Sequence, residues 1–294
     1  MTGGVVAGLA LAVACAIATN VAFLFKHRGS VEAPPVRISH PIRSAGGLFH
    51  SRWFVLGLAV ALGAWLLHVA ALALAPLSIV QATLSGGLVF LAVLGERYFG
   101  FSLGRRQWIG LLLTAAGLAV IGITSGSQVG EPPGYALAAL IVIECTVLLV
   151  AGAFAALSGR FSLSLATEGM LLGVAAGALF GVSDIAIKFL TDAVGDGVLE
   201  MLSPWTAAAL IASVIAFYAS ARGLQLGPGL QVIAFTSVAA NLTAIVGGIL
   251  IFRDPIGAGA LAISARMVAF CLIVAGAAMM PAPTRAASSA ASAA

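Results

Sequence analysis

Charged residues are scarce in this chain of 294 residues, and their scarcity excludes a soluble fold. Only 8% of the residues are charged and 61% are hydrophobic, with a mean hydropathy of +1.13. In a soluble domain of this size roughly a quarter of all residues are charged, and they cover its surface. A lipid bilayer needs far less charge, provided that helices satisfy their own backbone hydrogen bonds. The composition therefore predicts an all-α, polytopic membrane protein.

Cysteines and enzyme motifs are equally sparse. The three cysteines, Cys15, Cys145 and Cys271, lie in apolar segments without metal-ligand spacing, so we interpret them as small packing residues. The sequence has no glycine-rich phosphate loop and no cluster of His, Asp and Cys. The net charge of +4 is small and lies in loops, which is typical of membrane orientation rather than of nucleic-acid binding. The sequence predicts no enzyme, no cofactor, no metal centre and no nucleic-acid partner.

Long apolar segments divide the chain into nine predicted spans, because crossing a hydrocarbon core takes about 20 apolar residues. The predicted spans are 4–25, 53–74, 77–95, 107–124, 134–157, 168–191, 204–221, 229–252 and 262–280. Pro76 and Pro228 separate neighbouring spans, since proline cannot donate a helical hydrogen bond. The Ser- and Ala-rich tail 281–294 has no apolar periodicity and is expected to be disordered.

Positive charge follows the odd-numbered spans. The basic residues after these spans are Lys26, Arg28, Arg37, Arg43, Arg52, Arg97, Arg105, Arg106, Arg160, Arg222 and Arg285, whereas Arg253 alone follows an even one. The positive-inside rule then predicts a plasma-membrane protein with its N-terminus outside, its C-terminus in the cytoplasm and a cytoplasmic loop at 26–52. The residues before the first span carry no positive charge, so we expect that span to be retained rather than cleaved as a signal.

A faint internal repeat relates the two halves. The last residues of span one, 18–25, resemble the last residues of span six, 182–189. Asn20 in the first segment corresponds to Asp184 in the second. An offset of five spans inverts the second copy, which is a common plan in secondary transporters. We therefore predict a first repeat at 1–125, a linking span at 126–160 and a second repeat at 161–280.

Several short motifs carry a resemblance to a known family. They are Ala71 to Gln81, Gly95-Glu96-Arg97, Gln107 to Gly110, Gly117 and Gly247 to Asp254. With these motifs the chain resembles the drug/metabolite transporter superfamily, of the EamA-like kind. Nine spans, an outside N-terminus, Phe25 to Gly29 and Gly46-Gly47 look most like its NIPA-like magnesium transporter branch. The resemblance implies a pathway lined by spans one, three, six and eight.

One departure from the NIPA-like pattern bears on the substrate. Members of that branch carry Gly-Glu and a nearby Asn in span two, whereas the matching positions here hold Ala64-Trp65 and His68. A carboxylate aimed at a hard cation is thus missing there, and magnesium favours oxygen ligands. This difference argues against magnesium as the substrate.

Charged residues inside spans are the first candidates for function, because each costs about 2.5–3.5 kcal/mol to insert at the centre of a helix. Glu144, in the middle of span five, is a candidate to carry protons or to bind a cation; the alternative is a protonated acid bonded to a neighbouring helix. Asp184 and Lys188 are four residues apart on one helix face, so they are predicted to pair. That pair would be either a substrate clamp or a structural ion pair.

Polar and aromatic residues inside spans are the second group of candidates. Histidine side chains in general titrate near neutral pH, so His68 is a candidate for proton coupling, with a structural role as the alternative. Trp65, one turn away, is a candidate to stack on an organic substrate or to anchor at the interface. Asn20, Gln81 and Asn241 are candidates to line the pathway, although hydrogen bonding between helices is the more common use of such residues.

The leading hypothesis is a secondary transporter of a small organic solute, with protons as the candidate coupling ion. A magnesium or other divalent cation transporter and a non-transporting assembly subunit are the alternatives. The expected partners are a small solute, protons and the lipid bilayer, and a homodimer is left open.

Overall fold

The computed structural model describes most of the chain, with gaps. The described residues are 3–37, 40–100, 103–124, 138–139, 141–143, 145–147, 149, 164–193, 202–251 and 260–279. Their long helices are α1 (Gly3–Glu32), α2 (Pro41–Phe49), α3 (Arg52–Leu74), α4 (Leu77–Ser85), α5 (Gly87–Phe99), α6 (Arg105–Thr124), α7 (Leu165–Ala193), α8 (Pro204–Leu226), α9 (Gly229–Ile251) and α10 (Ala260–Ala278).

The described helices make the chain a polytopic membrane protein, as the composition predicts. Within the described ranges, six stretches are long and apolar enough to cross a bilayer: Gly4–Glu32, Arg52–Leu74, Ile79–Phe99, Leu165–Thr191, Pro204–Leu226 and Gly229–Gly248. These six match predicted spans one, two, three, six, seven and eight. Helices α6 and α10 occupy predicted spans four and nine. Much of predicted span five and the tail 281–294 lie outside the described residues.

The predicted loop 26–52 is largely helical instead. Helix α1 continues to Glu32, because the first helix-breaking residue after the span is Pro34, and α2 begins at Pro41. The linker between them is held against α8 by Gln225. Its side chain accepts a hydrogen bond from the backbone N–H of Val36 at 2.8 Å and donates to the carbonyls of Ser30 and Pro34 at 3.1 and 3.0 Å.

Close glycine contacts fix the directions of the helices. The contacting pairs of α1 and α3 are Gly8–Ala75, Lys26–Gly57 and Gly29–Phe54. Residue numbers rise along α1 as they fall along α3, so these helices are antiparallel. The pairs His68–Asp184 and Leu72–Lys188 join α3 to α7 with numbers that rise together, so these helices are parallel. Helix α1 therefore runs antiparallel to α7.

Helices α7 and α9 pack against each other through glycines at successive turns. The contacting pairs are Gly173–Val232, Gly177–Thr236 and Gly181–Ala240. A Cβ atom at Gly177 or Gly181 would overlap the carbonyl oxygen of the facing residue. Small residues at this spacing let membrane helices approach closely enough to gain dispersion contacts that lipid does not offer. The two parallel helices thus form one closely packed wall of the bundle.

Candidate functional site

A cavity of about 210 Å³ lies in the middle of the bundle, between α1, α3, α4, α7 and α9. Its α3 wall extends from Ala61 to His68 and its α9 wall from Thr236 to Asn241, and both stretches are central in their helices. Because the helices cross the bilayer, the cavity is near the midplane. Substrate sites of secondary transporters commonly occupy this depth.

Six of the eight residues singled out from the sequence line this cavity. They are Asn20, Trp65, His68, Gln81, Asp184 and Asn241. They come from five helices and lie up to 221 positions apart in the chain. The grouping follows from burial, because polar side chains in apolar helices turn away from lipid.

Asp184 is the centre of the polar lining. Oδ1 of its carboxylate is 3.1 Å from Nε2 of His68, and Oδ2 accepts a hydrogen bond from Nε2 of Gln81 at 3.0 Å. The contact with His68 has the distance of an ion pair without the alignment of a hydrogen bond. The side chain of His68 is 8% exposed and that of Asp184 is 19% exposed, so the acid keeps more access to the cavity.

Asp184 and Lys188 do not form the predicted pair; the two side chains have different partners. Nζ of Lys188 donates a hydrogen bond to the carbonyl oxygen of Leu72 at 3.0 Å, while Asp184 contacts His68 and Gln81. Spacing by four residues puts two side chains on one helix face, but here α3 and α4 offer nearer partners to the acid. Lys188 lies outside the cavity lining, so its position favours the structural role.

The two polar atoms of the Asn20 side-chain amide differ: the nitrogen uses its hydrogen-bonding capacity and the oxygen does not. Its Nδ2 donates to the carbonyl of Ala16 at 2.7 Å and to the carbonyl of Gly87 at 3.0 Å. Its Oδ1 is buried and has no hydrogen-bond partner among the described residues. A buried acceptor without a donor costs free energy, about 1–3 kcal/mol in mutational series. Asn20 lines the cavity, so this unsatisfied acceptor belongs to the cavity wall.

The third predicted span is interrupted beside the cavity. Helix α4 ends at Ser85 and α5 begins at Gly87, with a turn at Gly86. The hydroxyls of Thr83 and Ser85 donate to carbonyls one turn back, at 3.0 and 2.8 Å, and such bonds bend helices. The turn at Gly86 follows Gln81 by five residues and adjoins Gly87, whose carbonyl accepts the hydrogen bond from Asn20, so it lies beside the cavity wall.

Sequence reasoning missed the contribution of Lys26. The prediction ended span one at Phe25 and interpreted Lys26 as a cytoplasmic charge, whereas α1 continues and Lys26 lines the cavity. Its Nζ lies 4.1 Å from the ring centroid of Phe23. The lack of a helix breaker before Pro34 is the sequence signal that would have found it. Thr19 and Ser237 also line the cavity and were not singled out.

Glu144, the remaining predicted residue, lies outside the described residues. Within the described ranges, no three His, Cys, Asp or Glu side chains come together as a metal site. The charged and titratable groups of the described lining are Asp184, His68, Lys26 and Cys15. The rest of the lining combines amide and hydroxyl groups with alanines and with the aromatic rings of Phe23, Trp65 and Phe180.

The chain is similar to a plant protein named "Probable magnesium transporter NIPA9" from Arabidopsis thaliana. The two are 25% identical over 256 residues, which is 82% of this chain and 72% of the relative. No family model and no solved structure matches the chain. The relative agrees with the NIPA-like resemblance and is named as a transporter rather than as an enzyme, whereas the wider drug/metabolite superfamily stays a prediction. Fold and relative together identify a polytopic, all-helical membrane protein.

Proposed function

We propose that the protein is a secondary transporter that moves a small organic solute through the cavity at the midplane. The observation that carries this proposal is the convergence of Asn20, Trp65, His68, Gln81 and Asp184 on one cavity at mid-depth. Isolated polar residues spread over lipid-buried helices would serve packing alone. Their common cavity fits a site that binds a solute away from both membrane surfaces.

The directions of the helices support the predicted inverted repeat. Helix α1 pairs with α3 as α7 pairs with α8, and α1 runs antiparallel to α7. The contact of α3 with α7 has a counterpart in the contact of α1 with α8, as a two-fold relation between the halves requires. Two inverted halves around one cavity fit alternating access, in which one half rocks against the other.

The size and walls of the cavity favour a small organic solute. A cavity of about 150 Å³ holds benzene, so one of about 210 Å³ suits a solute of a few more atoms. Drug-sized ligands occupy roughly 300–1,000 Å³. The rings of Phe23, Trp65 and Phe180 offer apolar surface, and Trp65 is half exposed. An organic solute gains from these walls, whereas a hydrated ion does not.

Protons are the proposed coupling ion. Asp184 and His68 form an acid–base pair that faces the cavity, and both side chains can take up and release a proton. Glu144 remains the proposed proton carrier of span five. If these side chains bind and release protons as the solute binds and leaves, solute movement is linked to the proton gradient.

Magnesium is the second candidate, because the relative NIPA9 is named as a probable magnesium transporter. Asn20, Gln81, Asp184 and Asn241, whose side chains all carry oxygen atoms, line the cavity, and oxygen is the ligand atom that Mg²⁺ favours. Against this candidate, Asp184 supplies the one carboxylate of the described lining and already contacts His68.

The two candidates are separated by flux into proteoliposomes that hold purified protein and either a trapped pH dye or a trapped magnesium dye. Asp184→Asn tests the cavity, and Glu168→Gln, in the first turn of the same helix, is the matched neutralisation. The proposal is supported if members of a panel of amino acids and organic acids elicit proton movement. This movement should be lost in Asp184→Asn and kept in Glu168→Gln.

Other outcomes of the same assay decide between the alternatives. Magnesium entry that only Asp184→Asn abolishes, without any response to organic solutes, would favour the cation transporter. No flux of either kind from folded protein would contradict transport and favour an assembly subunit. If Glu144→Gln leaves the rate and its pH dependence unchanged, Glu144 is not the proton carrier.

A further inference from the structure

Lys26 and Asn20 give the cavity an uneven chemistry that bears on the solute. Both side chains come from α1 and both line the cavity. Asn20 contributes the buried acceptor Oδ1, which has no partner among the described residues. Lys26 contributes a cation near the other end of the same wall, because α1 lines the cavity from Cys15 to Lys26.

The ammonium group of Lys26 lies over the ring of Phe23, three residues before it on α1. Side chains on an α-helix lean towards its N-terminus, and Nζ of Lys26 lies over the ring of Phe23, 4.1 Å from its centroid. Phe23 is three residues from Asn20, a rise of about 4.5 Å along the axis. Asn20 and Lys26 are six residues apart on α1, a rise of about 9 Å along the axis, and the position of Nζ over Phe23 brings the ammonium group nearer than that rise, within reach of a molecule of a few heavy atoms.

Lys26 has no ion pair with any carboxylate of the described residues. The ion pairs within the described ranges are Arg28–Glu32 and His68–Asp184, so no acid in that part of the chain approaches Lys26 within 4.0 Å. Arg28, two residues further along α1, contrasts with it: Arg28 is exposed, pairs with Glu32 and stacks on Trp53. Lys26 is therefore the cation of this helix that is placed to meet a solute.

Resting on the proposed transport of an organic solute, we propose that Lys26 and Asn20 form a two-point subsite for a small organic anion that carries a hydrogen-bond donor, as amino acids and 2-hydroxy acids do. Lys26 binds the carboxylate of the solute. Oδ1 of Asn20 accepts a hydrogen bond from the neighbouring ammonium or hydroxyl group. The aromatic rings contact the remainder, and Asp184, engaged by His68 and Gln81, does not repel the anion as a lone carboxylate would.

The test compares acids with their uncharged amides. The probes are a panel of natural L-amino acids and 2-hydroxy acids, each paired with its primary amide, and magnesium chloride is added separately. Tryptophan fluorescence of the purified protein reports binding, and uptake into proteoliposomes is measured by mass spectrometry. The variants are Lys26→Met, Lys26→Arg, which keeps the cation, and Asn20→Leu; Arg28→Met is the matched control outside the lining.

At least one acid is expected to bind about tenfold or more tightly than its amide. Lys26→Met should abolish this preference, Lys26→Arg should retain most of it, and Arg28→Met should leave it unchanged. Asn20→Leu should weaken the acids that carry a donor more than deoxy analogues that lack it. Because Lys26→Met could unfold the protein, size-exclusion chromatography is run on each variant, and the analogue series on the wild type tests the subsite without any substitution.

Three results would overturn the subsite. They are equal binding of acids and amides, no binding by any member of the panel, and an acid preference that Lys26→Met leaves intact. Uptake of amides or of organic cations in preference to the acids would refute the subsite alone and leave organic-solute transport standing. Magnesium uptake without any organic uptake would refute both.

Discussion

Two helix pairs use glycine in opposite places, and the difference explains where the cavity is. Helices α7 and α9 are in close contact through their middle, at Gly173, Gly177 and Gly181. Helices α1 and α3 make their close glycine contacts at Gly8 on one side of the α3 lining residues 61–68, and at Gly57 and Gly29 on the other. Between those contacts α1 and α3 face the cavity with Asn20, His68 and small alanines. The middle of one pair is a closed wall, and the middle of the other is open.

Burial follows the same division. The most apolar stretches of α7 and α9 are 56% buried, against 33% for α1 and 28% for α3. Helices α1 and α3 pack mainly on each other, so as a pair they have less contact with the rest of the bundle to break when they move. We therefore expect α1 and α3 to shift during transport against a wall of α7 and α9 that keeps its packing.

Gly177→Leu should have the largest effect, because it breaks the closed wall. A side chain at this position overlaps the backbone of Thr236, so α7 and α9 must separate. We expect loss of the folded peak in fluorescence-detected size-exclusion chromatography. Gly63→Leu is the control, since a Cβ at Gly63 meets nothing within 4 Å. Normal folding of Gly177→Leu would show that the wall is not closely packed in solution.

Asp184→Asn should abolish most transport while the bundle stays folded. Removing one partner of a buried ion pair costs roughly 3–5 kcal/mol where the other keeps its charge, so His68 would lose its arrangement at the cavity. We expect the initial rate of solute uptake to fall at least about tenfold. Adding His68→Gln to Asp184→Asn should reduce the rate little further, because the two residues act as a unit. Independent, multiplicative losses would contradict the pair.

Ala64→Leu should fill the open wall without unfolding it. Ala64 is 3% exposed and lines the cavity, so a leucine there can extend into empty space. We expect a normal size-exclusion profile and an uptake rate lowered several-fold, with a larger loss for larger solutes. The contrast with Gly177→Leu sharpens the comparison of the two walls. An unfolded Ala64→Leu protein would mean that the middle of α1 and α3 is packed as closely as that of α7 and α9.

Lys188→Met should have the smallest effect on transport. The substitution removes a hydrogen bond to the carbonyl of Leu72, and a bond from a charged donor contributes about 1.5–3 kcal/mol. We expect a lower melting temperature in a thermal-shift assay and an unchanged KM for the solute. Lys188→Gln, which keeps a donor, should recover part of the stability. A raised KM would revive the role of Lys188 as a substrate clamp.

Much of the fold and of the cavity lining was predictable because membranes simplify both problems. Apolar length alone located the long helices, and the cost of polar groups in lipid pointed to Asn20, His68 and Gln81. The partner of Asp184 was not predictable, since Lys188 is its neighbour along the helix and His68 becomes its neighbour only through tertiary packing. Lys26 was missed because a positive charge after an apolar run is usually the end of a span.

The most direct test of the central claim asks whether water and solute reach the cavity. In a variant with all three cysteines replaced by alanine, Ser237→Cys puts a thiol on the cavity lining, and Ser213→Cys is a matched change in α8 outside the lining. A water-soluble methanethiosulfonate reagent should label Ser237→Cys, block its uptake and be slowed by transported solute, while Ser213→Cys keeps its uptake. Labelled Ser237→Cys protein that retains full uptake would contradict the account, since a filled cavity could not then be the path of the solute.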